Sequence, residues 1–215
     1  MSRLEAYNSA LTRLGEPLMQ SPTDSGNNCD LVRYWYPITR DEILRGSRFS
    51  FSVRQLALAP LNQPMVSQEW AYHFNKPADC LKVMHCEDAS GYKVPHEFLG
   101  KYLYADTDTV ILTYVSNDES IIGVDDVLIP SEIQLLIGCR MAAVMAFKVN
   151  GDKQLKQMLD AEFSDMLRIA RNNHSTENDP SAMSGDVWLV SRLGASSDID
   201  QLRTRPLEGV PPEGI

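Results

Sequence analysis

The sequence lacks the common signatures of nucleotide-binding and hydrolytic enzymes. In its 215 residues there is no GxxxxGK[ST] or GxGxxG loop, which excludes the two common glycine-rich phosphate cradles. There is also no GxSxG turn, which carries the nucleophile of many serine hydrolases. Neither class of enzyme is therefore indicated.

Positive charge is also scarce. The chain has 20 lysines and arginines against 29 aspartates and glutamates, a formal net charge of -9. A general electrostatic grip on a phosphate backbone needs clustered cations, so this composition argues against nucleic-acid binding of that kind. It is compatible with a protein that lies beside DNA without holding it.

Long apolar runs are missing as well. The longest, residues 135–147, contains Arg140 and is shorter than the roughly 20 residues of a membrane span. The N-terminus lacks the apolar stretch of a signal peptide. We expect neither membrane insertion nor export.

Cysteine is present at four positions, none in a CxxC pair, and we expect all four thiols to be reduced. Cys139 lies in an apolar helical run, where a thiol acts as a small hydrophobe. Cys80 has His73 and His85 near it in sequence, but a catalytic pair needs an oriented imidazole within hydrogen-bonding reach. Neighbouring strand residues point to opposite faces, so a structural Cys80 is favoured. The four positions are Cys29, Cys80, Cys86 and Cys139.

Metal sites are not indicated either. The run His85-Cys86-Glu87-Asp88 holds four possible ligands, but consecutive strand residues diverge and rarely close one tetrahedral site. Asn117-Asp118-Glu119 and Asp125-Asp126 lack the ligand spacing and the glycine of a calcium loop, and are predicted as solvated loop. We expect no metal and no cofactor.

Residues 1–47 predict two helices. Gly15, followed by Glu16-Pro17, should end the first. The second is predicted from about Cys29 to Arg45, and Pro37 should kink or split it because proline removes a backbone donor and crowds the preceding turn. The predicted inward residues are Leu4, Tyr7, Ala10, Leu11 and Leu14, then Leu31, Tyr34, Trp35, Ile38 and Leu44.

Between residues 48 and 126 the pattern changes to short runs rich in β-branched and aromatic residues, separated by proline, glycine and Asp/Asn. This is typical of a small, mainly antiparallel sheet. Asp106-Thr107-Asp108 is predicted as a hairpin turn, and the strand after it should bury at least one face. The predicted strands are 49–53, 70–74, 81–85, 102–104 and 109–115.

Helical patterns resume at Pro130-Ser131-Glu132. The helix that follows is apolar nearly all round, as in a central helix, and Gly138 with the nearby alanines should let neighbouring backbones approach closely. A last helix is predicted from Asp152 to about Asn173, with Lys156 and Asp160 paired on its wet side. Its predicted inward residues are Leu155, Met158, Leu159, Met166 and Ala170.

These segments together predict an α+β fold. Residues 1–47 and 127–173 should form two halves of one helical bundle, interrupted by a β-rich insert at 48–126. Residues 174–215 should form an extended C-terminal arm, because four prolines and a single compact apolar cluster, 187–190, do not offset the entropy of ordering. Such an arm either stays mobile or lies against another surface.

Two pairs of residues are candidates for an interface. Arg40 and Asp41 belong either to a solvent-facing ion-pair network or to a contact with a neighbouring subunit, since planar Arg pairing suits interfaces. Trp188 and Arg192 have the composition of an anchor that docks on a partner. Trp35 and Tyr36 are predicted as core aromatics.

Several motifs occur in an order that, taken together, is more informative than each alone. They are Ala10-Leu11-x-x-Leu14-Gly15-Glu16-Pro17, Trp35-Tyr36-Pro37-x-x-Arg40-Asp41-Glu42-x-Leu44-Arg45, Phe51-x-x-Arg54-x-Leu56-x-Leu58-Ala59-Pro60-Leu61, Trp70-Ala71-Tyr72, Pro77-x-Asp79-Cys80-Leu81-Lys82-Val83, and Trp188 with Arg192. In this order and layout the chain resembles the tail tubular protein A family, the head-to-tail adaptors of short-tailed bacteriophages. The resemblance covers most of residues 1–193 and nothing after Gly194.

The resemblance implies a structural role in the virion tail, after assembly in the host cytoplasm. Proteins of this family form a dodecameric ring beneath the portal protein, carry the tail nozzle protein below and, in many phages, fibres or spikes outside. The genome passes through the ring without sequence-specific binding, and no catalysis is implied. Two alternatives stay open: a virion-associated cell-wall hydrolase whose two carboxylates are distant in sequence, and a helical protein-interaction module.

Overall fold

The computed structural model describes residues 3–61 and 69–177. The chain divides into two units, Met1–Ser175 and Thr176–Ile215, and the account below concerns the first unit and the end of its last helix. The helices are α1 (Arg3–Leu14), α2 (Asn27–Gly46), α3 (Glu119–Ile122), α4 (Ser131–Asn150) and α5 (Lys153–Glu177). The strands are β1 (Val53–Leu58), β2 (Tyr72–Asn75), β3 (Cys80–Glu87), β4 (His96–Leu99), β5 (Tyr102–Ala105) and β6 (Val110–Ser116).

The predicted α+β class is confirmed. Two three-stranded antiparallel sheets, ordered β1-β6-β3 and β2-β5-β4, lie in the sequence between α2 and α3. Helix α5 continues through residue 174, where the C-terminal arm was predicted to begin. The rest of that arm, with Trp188 and Arg192, lies outside the described residues.

Helix α1 ends as its sequence predicts. Gly15 adopts a left-handed conformation with φ 74°, which glycine reaches without the steric cost that a Cβ imposes. The Glu16 backbone N–H then donates to the Leu11 carbonyl at 2.9 Å, and this bond caps the last turn.

Helix α2 differs from its prediction in two ways. It runs through Pro37 as one element, so the predicted split does not occur. Its buried face also lies elsewhere: Tyr34 is 62% exposed and Ile38 is 44% exposed, although both were predicted to face inward. The buried face carries Val32, Tyr36, Thr39, Ile43 and Leu44, which lie on both sides of the proline.

Helix α4 is the central element, as predicted. It is buried along most of its length and packs against α1, α2 and α5. A Cβ added to Gly138 would stand 2.6 Å from Ser9 Oγ and 2.9 Å from the Ala6 carbonyl oxygen. Only glycine therefore permits the observed distance between α1 and α4.

On helix α5, Leu159 and Ala170 are buried in the hydrophobic core, as predicted. Met158 was predicted to face inward but is exposed. The Lys156 Nζ to Asp160 Oδ2 distance is 2.7 Å, which confirms that predicted pair.

The β region also contains three departures from prediction. Residues 50–52 form a 3-10 turn instead of a strand, because the Ser52 hydroxyl and N–H both donate to the Phe49 carbonyl. Strand β4 was missed. Asp106-Thr107-Asp108 is not a hairpin turn, since it connects β5 to β6 and these strands belong to different sheets.

Strand β6 is the central strand of its sheet and is buried on both faces.

Among the described helices, none alone has the length and apolar composition of a membrane span. The bent pair Glu119–Asp126 and Ser131–Asn150 meets those two criteria only when its members are taken together.

The close approach at Gly138 generates a stability prediction. Gly138→Ala should lower the free energy of unfolding by about 1–3 kcal/mol, because the added methyl group forces α1 away from α4. Urea unfolding followed by circular dichroism measures this change.

Gly46→Ala is the matched control for that substitution. Gly46 is also helical, and a Cβ added there meets no atom within 4 Å. Its stability should match or slightly exceed that of the unchanged protein. A Gly138→Ala protein as stable as this control would contradict the packing described.

Candidate functional site

The most unusual group in the structure is a fully buried carboxylate, that of Asp126. It lies in a short 3-10 turn, Val124–Asp126, which precedes α4. Asp125 and Asp126 both have left-handed backbones, with φ 55° and 58°, a conformation that aspartate tolerates better than most residues. The Asp126 side chain is 0% exposed. The solvated loop predicted for these residues is therefore wrong at Asp126.

Two arginines neutralise this carboxylate. Arg3 Nε, at the start of α1, donates to Asp126 Oδ2 at 2.8 Å, and Arg40 Nη1, in α2, donates to Oδ1 at 3.1 Å. The Arg40 side chain is only 11% exposed. A buried charge is costly unless it is paired and hydrogen-bonded, and here both carboxylate oxygens have charged donors. The group thereby joins α1 and α2 to the turn before α4.

Neutral groups extend the network beneath the ion pairs. The Tyr36 hydroxyl donates to Gln134 Oε1 at 3.2 Å, and Gln134 Nε2 donates to the Asp126 backbone carbonyl at 3.0 Å. Gln134 is fully buried in α4. The network thus reaches into the central helix as well.

Burial and the charge of Asp126 shift the pKa values of two residues in the network, Tyr36 and Arg3. Burial, assisted by the charge of Asp126, raises the pKa of Tyr36 far above its usual range, so the phenol stays protonated. Burial alone would lower the pKa of Arg3, but the hydrogen bond and charge of Asp126 outweigh it, and the pKa is raised. Both shifts favour the protonation states that hold the network together.

Arg40 and Asp41, the predicted interface pair, both have partners inside the protomer. Arg40 Nε donates to Asp41 Oδ1 at 2.9 Å, and Asn117 Nδ2 donates to Asp41 Oδ2 at 2.9 Å. Arg40 is too buried for the solvent-facing network that was one of its two interpretations. A contact of Arg40 or Asp41 with another subunit remains a prediction, and so do the roles of Trp188 and Arg192.

A second ion-pair network joins α2, α4 and α5. Arg140 Nη2 meets Glu42 Oε1 at 2.8 Å, and its Nη1 meets Asp160 Oδ1 at 3.3 Å. The guanidinium carbon also lies 5.3 Å from the ring centre of Phe163. Arg140, the charge that interrupts the longest apolar run of the sequence, therefore connects α4 to α2 and α5 at the surface of the bundle.

A third polar group holds the start of β3. Asp79 Oδ2 accepts hydrogen bonds from the Tyr114 hydroxyl at 3.0 Å and the Ser116 hydroxyl at 2.6 Å. Arg54 Nη1, in β1, lies 3.5 Å from the same oxygen and 3.1 Å from Asp118 Oδ2. Burial and the bond to Asp79 raise the pKa of Tyr114 to about 12. Arg54 and Asp79 both belong to the sequence motifs.

The candidate nucleophile and metal residues do not form a reactive centre. Cys80 and Cys86 are buried, and burial raises the pKa of both thiols, that of Cys86 to about 11. Thiols held protonated in this way are poor nucleophiles at neutral pH. His85 Nε2 lies 3.5 Å from Glu87 Oε1 on the same strand. Among the described residues, no three His, Cys, Asp or Glu side chains are grouped as a metal site would need.

An open groove adjoins the first network. It lies between the second half of α2 and the start of β3 and encloses about 820 Å³. Asp41 and Glu42 line it on the helix side, and Lys76 and Lys82 line it on the β side. The segment Trp35–Arg45, the densest of the motifs, therefore has one face in the buried network and another in this groove.

Sequence reasoning missed Asp126, Arg3, Gln134 and Asn117. Asp126 lies 123 residues from Arg3 and 86 residues from Arg40 in the chain. No local pattern links groups at such separations. The one available signal was the interruption of an apolar helix by Gln134, a polar residue that needs a buried partner.

No family model matches the sequence, and no curated protein matches it.

The first network generates a prediction with a matched control. Asp126→Asn should lower the free energy of unfolding by about 3 kcal/mol, because the Arg3 and Arg40 guanidinium groups lose the one fully buried carboxylate that they share. Asp125→Asn should cost less than about 1 kcal/mol, since the Asp125 side chain is 66% exposed and 3.6 Å from Arg3.

The two substitutions share the same left-handed backbone, which asparagine tolerates, so conformational effects cancel in the comparison. Denaturant unfolding of both variants at one pH and salt concentration gives the difference. Equal stabilities would mean that the buried ion pairs do not contribute as described.

Proposed function

We propose that the protein is a structural head-to-tail adaptor of a short-tailed phage. In this proposal its copies form a ring, a dodecamer in the family it resembles, between the portal protein and the tail nozzle protein. The ring leaves a channel for the genome and carries fibres or spikes where the phage has them. The protein acts in the virion tail as an assembly component, without catalysis.

One observation carries the proposal. Four charged residues of the motifs have partners inside the protomer: Arg40 and Asp41 in the buried network, and Arg54 and Asp79 at the start of β3. Motif residues that bind one another within the protomer are typical of a rigid structural protein. A catalytic site would instead need ionisable groups that remain available to a substrate.

Two further observations agree with the proposal. The helical bundle interrupted by a β region, in the order of the motifs, is the layout that the resemblance implies. The net charge of -9 also suits a channel component, because an acidic wall does not retain DNA.

Assembly on the portal tests the proposal. The purified protein, mixed with portal complexes from the same phage, should add a ring of density with twelvefold symmetry in averaged negative-stain images. Portal complexes alone are the control. Images that show unchanged portals and free monomers would contradict the adaptor function.

A second assay on the same purified protein distinguishes the adaptor from the main alternative, a cell-wall hydrolase. A zymogram on peptidoglycan should show no clearing if the protein is an adaptor. Clearing that persists after removal of the host's own hydrolases would favour the cell-wall hydrolase, and its two distant carboxylates would then need to be located.

A further inference from the structure

The groove beside α2 has an apolar floor as well as charged walls. Ile38 is 44% exposed there, although it lies in the middle of a helix that packs on the core. Leu81 lies opposite on β3. It is the extra residue of a β-bulge, since Cys80 pairs with Ser116 and Lys82 with the adjacent Val115. Two aliphatic side chains therefore line an accessible cleft.

The acidic residues of the groove already have partners. Asp41 is bound by Arg40 and Asn117, and Glu42 receives two donors from Arg140, at 2.8 and 3.2 Å. Both carboxylates are therefore neutralised by groups that lie outside the groove.

The cations of the groove, unlike its carboxylates, have no partner of opposite charge among the residues that the structure describes. Arg45, Lys76 and Lys82 line it, and within the described part of the chain no carboxylate lies within 4.0 Å of any of them. Most described arginines have such a partner, so Arg45 is unusual in lacking one, whereas among the described lysines only Lys156 has one. Acidic residues outnumber basic ones by 29 to 20. Three cations around one cleft, none with a carboxylate partner, make this a basic site on an acidic protein.

We propose that this groove binds an acidic segment of a partner protein, one that places an apolar side chain between Ile38 and Leu81. Carboxylates of the segment pair with Arg45, Lys76 and Lys82, and charge complementarity of this kind selects the partner and speeds association. The inference does not depend on the adaptor function.

A protein segment fits the groove better than a nucleic acid. Phosphates approaching the three cations would also approach Asp41 and Glu42, and the whole chain carries a charge of -9. Nucleic acids also offer no aliphatic side chain for Ile38 and Leu81. A peptide can match both the charge and the apolar floor.

Fluorescence anisotropy with the full chain tests the proposal. The probe is a short fluorescein-labelled peptide of glutamate and glycine with two central leucines. It should bind saturably, and binding should weaken as salt is raised. The Arg45→Glu/Lys82→Glu protein should bind it at least about tenfold more weakly, as the loss of two charge pairs predicts.

Lys153→Glu is the matched control. Lys153 is exposed in the first turn of α5, where a glutamate is well tolerated, and its replacement changes the net charge in the same direction. Its affinity should remain within about twofold of the unchanged protein. Lys82→Gln, which removes a charge without adding a carboxylate, should give an intermediate affinity, and circular dichroism verifies that each variant is folded.

Three outcomes would overturn the proposal. The first is equal affinity of the unchanged and Arg45→Glu/Lys82→Glu proteins for the peptide. The second is no binding up to about 1 mM peptide. The third is tighter binding, lost in the same double variant, of a duplex DNA of similar length. A peptide without leucines that binds as well as the first would remove the role of Ile38 and Leu81.

Discussion

The carboxylate of Asp126 and the two guanidinium groups that meet it connect three parts of the chain that are far apart in sequence. Burying such charges costs several kcal/mol per ion unless their geometry is good and their hydrogen bonds are complete. Arg3 fixes the start of α1, Arg40 fixes the middle of α2, and the Asp126 backbone reaches Gln134 in α4. Apolar packing buries the facing surfaces of these helices, and the network connects them through defined polar contacts.

Ion pairs and charged hydrogen bonds also connect separate helices or strands at two other places, which together with the first we call junctions. Arg140 joins the outer faces of α2, α4 and α5, while Arg54 and Asp79 join β1, β3 and β6. These junctions account for most of the charged motif residues. Arg45 and Lys82, two further charged residues of the motifs, are not part of these junctions and border the groove together with Lys76. The groove is thus the place where we propose that a partner binds.

Features with a local physical cause could be predicted from the sequence, and features that depend on distant partners could not. Gly15, Gly138 and the Lys156–Asp160 pair follow from helix geometry, and each is confirmed. The buried face of α2 was misassigned because Tyr34 and Ile38 are apolar at helical spacing yet border solvent. Asp126 was misassigned because its two counter-charges lie about a hundred residues away.

A double-mutant cycle on Arg40 and Asp126 tests the structural account most directly. Arg40→Met, Asp126→Asn and the combined variant should show a coupling energy of about 2 kcal/mol in denaturant unfolding, because the two groups stabilise each other in a buried setting. Effects that add to within about 0.5 kcal/mol would show that the two residues act independently. That result would contradict the central role given to the buried carboxylate.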